Sequence, residues 1–240
     1  MPTWTIARRD IIAAFTTPLA WLVLACWTLL TNGLFARTLD SVHGTAGSDL
    51  PLYVQSLDLG VLFLALLAPA LTMTSFAQER TQGTMQLLLT VPIREHHLIL
   101  GKFLAALVVL LALLAATLVQ PLILLFISAV EAPHLLAGYV GLILECALFA
   151  ALGVWISLLV DSPIAAYVLT FGAIAVLILI GIPERDSWLF PLGQIIGLGP
   201  RLEPFMRGEI RLGNVLYLLA VTAGCLVMAH SAILARRIHG

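Results

Sequence analysis

The chain has 240 residues, 61% hydrophobic and only 10% charged, with a mean hydropathy of +1.06 and a formal net charge of −1. That balance excludes an ordinary soluble domain, and the absence of a basic tract gives nucleic acid no electrostatic footprint. It fits a bilayer: crossing about 30 Å of hydrocarbon takes ~20 apolar residues per helix, so the length accommodates about six spans.

The apolar runs are continuous rather than alternating, which selects helices over a closed barrel. Cys26, Cys146 and Cys225 all fall inside such runs and behave as small hydrophobes, not as a disulfide framework. No small-residue site closes the first run, so no removable signal peptide is expected.

Residues 4–16 suit a helix lying in the membrane interface, with Trp4, Ala7, Ile11 and Phe15 along one side and Arg9 off it. Thr17-Pro18 is a helix start, a capping hydroxyl before a proline, and opens span one at 18–36. The polar residues 37–55 read as an exposed loop, and span two follows at 56–77 with Pro69 inside it. Span three, 98–130, is too long for a straight crossing and is interrupted at Gln120-Pro121, where a kink or tilt is expected. Span four is 135–160. Asp161-Ser162-Pro163 then forms a tight turn, either polar residue able to cap span five at 164–182. Residues 183–213 are too many for an idle connection and should hold one or two short amphipathic or re-entrant helices before span six at 214–235.

Basic residues set the orientation. With the N-terminus inside, seven (Arg8, Arg9, Arg80, Arg94, Lys102, Arg236, Arg237) face the cytoplasm. Five (Arg37, Arg185, Arg201, Arg207, Arg211) face outward, four of them in the long loop among acids. Both termini are therefore expected in the cytoplasm.

The most informative stretch is the polar interruption at 78–97 between spans two and three. Glu79 and Arg80 end span two, Gly83 breaks the chain, and Thr84 opens a short helix with Met85, Leu88 and Leu89 on one face until Pro92 stops it. An amphipathic helix at a membrane exit needs a groove or a headgroup layer for its apolar side; a merely solvated loop is the plain alternative.

Glu79, Arg80, Gly83-Thr84, Leu87-Leu88-Leu89, Thr90, Pro92 and Gly101-Lys102 resemble the signature of ABC-2 type permeases, particularly the branch of gliding-motility and nitrous-oxide-maturation permeases. Phe205 to Ile210, Val215 to Tyr217 and Arg236-Arg237 resemble the close of that branch.

The resemblance implies an all-α integral membrane protein, a single permease domain over 1–240. It would have six transmembrane helices, an N-terminal interfacial helix, and a cytoplasmic coupling helix between spans two and three. It also implies a cytoplasmic ABC ATPase in two copies, with a second permease copy or a related permease, in a bacterial or archaeal cytoplasmic membrane. Gly101-Lys102-Phe103 lacks the earlier glycine and the hydroxyl of a phosphate loop, so ATP and Mg are expected on the partner ATPase and no cofactor on this chain.

Glu145, inside span four, is a site candidate because an isolated charge at the bilayer centre costs at least ~3 kcal/mol; Gln120 and His230 are conceivable partners. Glu145 with His230 would also be the minimum for an intramembrane enzyme acting on lipid-like substrates, but no further catalytic group stands at useful spacing. A non-transporting scaffold that transmits mechanical change is the third reading. The six histidines are too scattered for metal-ligand spacing. Small residues of span four, Gly138, Gly141, Ala147, Ala151 and Gly153, suggest close helix packing.

Overall fold

The computed structural model describes residues 2–44, 52–81, 83, 94–127, 132–182 and 190–239, and every element among them is an α-helix. α1 (Pro2–Thr16) and α2 (Pro18–Gly44) meet at Thr17, the axes of 3–16 and 21–37 lying 73° apart. The Thr17 hydroxyl donates back to the Ala14 carbonyl at 2.8 Å, so it finishes α1 instead of capping α2 as expected. Trp21 Nε1 donates to the Phe15 carbonyl at 2.8 Å across the same corner. α2 also runs past the expected end of span one to Gly44. Polarity after Ala36 marks where the chain leaves the apolar layer, and no proline or glycine stops the helix before Gly44.

α3 (Leu52–Thr72) passes through Pro69 and stops three residues later; α4 (Ala77–Thr81) restarts after a turn. α5 (Glu95–Ala116) and α6 (Val119–Ile127) form one long run broken at Thr117-Leu118. The break has a local cause. Pro121 supplies no N–H and its ring crowds the carbonyl four residues back, that of Thr117. The freed Thr117 carbonyl accepts instead from the Tyr139 hydroxyl at 3.1 Å and the Gln120 N–H at 3.0 Å.

α7 (Ala132–Leu159) is the central post, against which α3, α5, α8 (Pro163–Leu179), α10 (Gly199–Met206) and α11 (Leu212–His239) all pack. Its small residues set the approach. A Cβ on Gly153 would lie 2.0 Å from Thr72 Oγ1, and one on Gly141 would lie 2.9 Å from Phe205 Cβ. α9 (Phe190–Ile196) and α10 are two short helices within the connection at 183–213. They seat on the end of α8 by backbone: a Cβ on Gly193 would be 2.2 Å from the Ile180 carbonyl, and the Leu198 N–H donates to the Leu177 carbonyl at 2.9 Å.

Four stretches among the described residues are long and apolar enough to cross a membrane: Gly60–Thr81, Glu95–Ile123, Ala132–Leu159 and Leu212–Ala235. The bent pair α1–α2 makes a fifth if counted as one span, and α8 is a shorter apolar helix of 17 residues. Six crossings require both α2 and α8 to span as well.

Gly153→Val should force α3 off its post and lower the unfolding midpoint in detergent, by the ~1–3 kcal/mol typical of an overpacked core. Adding Thr72→Gly, which removes the atoms in collision, should recover part of the loss.

Candidate functional site

The break between α3 and α4 is held from the side. Ser157 Oγ on α7 accepts from the Phe76 and Ala77 N–H groups, both at 3.0 Å, and donates to the Met73 carbonyl at 3.3 Å. A hydroxyl from another helix thus serves two amides at the restart, where no intrahelical acceptor exists. α4 lasts five residues. Its chain then turns at Gly83, whose φ of +71° favours glycine and whose N–H returns to the Arg80 carbonyl at 2.9 Å.

Glu79 and Arg80 are neighbours on a helix, so their side chains diverge by about 100°. They go to opposite sides of the bundle. Glu79 Oε1 accepts from Lys102 Nζ at 2.6 Å, with Arg9 Nη2 at 3.6 Å. Lys102 also pairs with Asp10 Oδ2 at 3.0 Å and lies 5.5 Å from the centroid of the Phe76 ring. Arg9 closes the group through Asp10 Oδ1 at 2.9 Å. The lysine side chain is only 7% exposed, so one buried ammonium holds two carboxylates from separate elements.

α1 reaches that position because Gly101 lets it. A Cβ on Gly101 would come 2.9 Å from Ile6 Cβ and 3.1 Å from the Thr3 carbonyl. Thr3 Oγ1 and His97 Nδ1, 2.7 Å apart, extend the contact by one turn of α5. The glycine and lysine of the Gly101-Lys102 pair therefore have separate jobs, one steric and one electrostatic. The inward side of α1 carries Thr3, Ile6, Ala7 and Asp10, with Ile11 and Phe15 half-buried; of the expected stripe only Trp4 lies off it, 60% exposed. Asp10, on that side, meets Lys102.

Arg80 turns the other way. Its guanidinium donates to the carbonyls of Leu158, at 2.7 Å, and Val160, at 3.1 Å, and pairs with Asp161. Thr81 Oγ1 donates to the Asp161 carbonyl at 3.0 Å. These carbonyls lie at the C-terminal end of α7, where no helical N–H remains for them and the helix dipole favours a cation. Asp161 is thereby used as an ion partner. The expected side-chain cap on α8 is absent: Ser162 occupies the cap position without a side-chain bond.

The Glu79–Lys102 bond ties α4, which precedes segment 82–93, to α5, which follows it. Thr84, Met85, Leu88, Leu89 and Pro92, assigned from sequence to the coupling helix, lie outside the described residues.

Among the intramembrane candidates, both Glu145 oxygens are buried without a hydrogen-bond partner. Gln120 Nε2 reaches Asn32 Oδ1, at 3.4 Å, and His230 Nδ1 is buried and unpartnered. Neither bonds to Glu145, so no acid–histidine dyad forms.

Asp10 and Ser157 were not singled out from the sequence. Asp10 carried a signal, being the single carboxylate in α1, and Lys102 carried a stronger one as the only lysine of the chain.

Apolar helices of membrane-crossing length, with a doubly clamped polar excursion between two of them, define a multi-pass helical membrane protein. The chain belongs to the ABC-2 transporter family: the family model described as ABC-2 family transporter protein matches residues 4–185, a range that contains the whole charge junction. Membership of that family makes it a permease subunit of the ABC transporter class. No curated protein matches it.

Lys102→Met should leave Asp10 and Glu79 with only the exposed Arg9 to offset them and destabilise the protein by up to about 3–5 kcal/mol, the range for a broken buried pair. The triple change with Asp10→Asn and Glu79→Gln should recover most of that loss in thermal unfolding. Because Lys102 is the only lysine, amine-reactive labelling followed by mass spectrometry should find it protected relative to the N-terminal amine.

Proposed function

We propose that this chain is the membrane-spanning subunit of an ATP-driven transporter in a bacterial or archaeal cytoplasmic membrane, and that segment 82–93 docks on a separate cytoplasmic ATPase. Six spans are assigned to α2, α3–α4, α5–α6, α7, α8 and α11, with α1 in the interface and both termini cytoplasmic. ATP and Mg belong to the ATPase, present in two copies, and a second permease completes the complex. The closing motif supports the gliding-motility and nitrous-oxide-maturation branch. Gly208, at φ +85°, turns the chain after Phe205 where a Cβ would meet the His134 ring at 2.4 Å, so the motif's glycine has a structural need.

One observation carries the coupling reading: adjacent residues Glu79 and Arg80 fasten the root of segment 82–93 to two different parts of the bundle, α1 with α5 on one side and the α7–α8 turn on the other. A push on 82–93 delivered through rigid helices moves both parts at once, which is what a transmission joint must do. In this reading Met85, Leu88 and Leu89 supply the apolar contact with the ATPase, Thr84 and Pro92 bound that helix, and Gly83 sets its angle.

Glu79→Lys and Arg80→Glu should each lower nucleotide hydrolysis by the complex purified from membranes at least ~10-fold, about 1.4 kcal/mol. Each also breaks a largely buried ion pair, so hydrolysis is compared per permease recovered in the complex. Prolines placed within 84–89 should lower hydrolysis likewise. Undiminished hydrolysis together with undiminished co-purification of the ATPase would overturn the coupling assignment.

A further inference from the structure

Glu145 lies 13 residues beyond the start of the 28-residue α7, about 20 Å along it, and is fully buried with neither carboxyl oxygen bonded. Helical side chains lean toward the N-terminal turn, so its carboxyl covers the stretch at Gly141 and Leu142. Those two residues meet different neighbours. Gly141 receives Phe205 of α10, whereas Leu142 touches the position a Cβ of Gly60 on α3 would take, at 3.7 Å. Glu145 therefore points into the angle between α10 and α3.

That angle is apolar. α3 and α7 run parallel in constant register, Gly60 beside Leu142 and Thr72 beside Gly153, which puts Phe63 and Leu64 at the height of Glu145. α10 covers it with Leu202 and Phe205, both buried. No basic side chain joins the group among the described residues. A carboxyl kept there costs stability in this state, and a cation would compensate it. Apolar walls with one acid are suited to a cation that is itself apolar.

The geometry points to Glu145 as the residue that binds a lipophilic cation carried through the bundle, closed off in this state by α10. This rests on the permease reading above. α9 and the start of α10 are seated on the end of α8 through Gly181, Gly193 and Gly197, whereas α10 itself packs on α7. The route to Glu145 opens when α10 leaves α7 and Phe205 withdraws from Gly141.

The test uses the full chain in mild detergent with tetraphenylphosphonium as the probe, without nucleotide or ATPase. Wild type should bind it in equilibrium dialysis, Glu145→Asp should retain binding, and Glu145→Gln should weaken it at least ~10-fold without lowering the unfolding midpoint. Phe205→Ala should tighten binding only where Glu145 is present. It should also let an aqueous carbodiimide with glycine ethyl ester modify Glu145, which stays unmodified in wild type. Equal binding by wild type and Glu145→Gln, or no binding by either wild type or Phe205→Ala, overturns the site. An unmodified Glu145 in Phe205→Ala overturns the cover. Since no ATPase takes part, these failures leave the coupling reading to stand or fall on the Glu79 and Arg80 variants.

Discussion

The position of Lys102 constrains the rest of the molecule. One ammonium, nearly shut off from water, has to satisfy Asp10 from the first helix and Glu79 from the end of the second apolar run. Such a pair gains little net stability over apolar packing of the same volume, because desolvation offsets attraction. What it fixes is geometry: ions from three elements must meet at one point, so α1, α4 and α5 have a single mutual arrangement. The Gly101 seat makes that arrangement sterically possible, and Arg9 keeps the acidic pair from carrying net repulsion outward.

The second fixed point is the C-terminal end of α7. Ser157, the terminal carbonyls and Asp161 collect the amides of the α3–α4 break and the guanidinium of Arg80 within a few residues. An interrupted helix is thereby spliced to an intact one. Higher on the same helix, Gly141 and Gly153 bring α10 and α3 into backbone range. α7 therefore links the polar joint at one end with the short-helix pair at the other through close-packed contacts, and such contacts transmit displacement better than they absorb it.

The apolar runs were plain in the sequence because bilayer thickness dictates their length, and α7, α8 and α11 begin and end within a few residues of expectation. Boundaries failed where polarity was taken for a helix end. α2 keeps its hydrogen bonds through Arg37 to Gly44 because a backbone outside the apolar layer needs a breaker to stop, not a charge. Glu79, Arg80, Gly101 and Lys102 stood out as motif letters, but spacing alone says nothing about which cation finds which acid across the bundle. Asp10 and Asp161 required the fold. Asp161 was read locally, as a cap for the next helix, and was claimed instead by an arginine 81 residues earlier.

Synthesis runs from the N-terminus, and the seat for α1 is built about 90 residues after α1 itself, at Gly101 and Lys102. Until α5 exists, Asp10 has only its neighbour Arg9 as an ionic partner, and α1 has no glycine to lie against. α1, made well before α5, therefore reaches its final contacts only once α5 is in place. Its docking records that the α3–α4 break has closed and α5 has inserted, so the junction acts as a checkpoint on assembly.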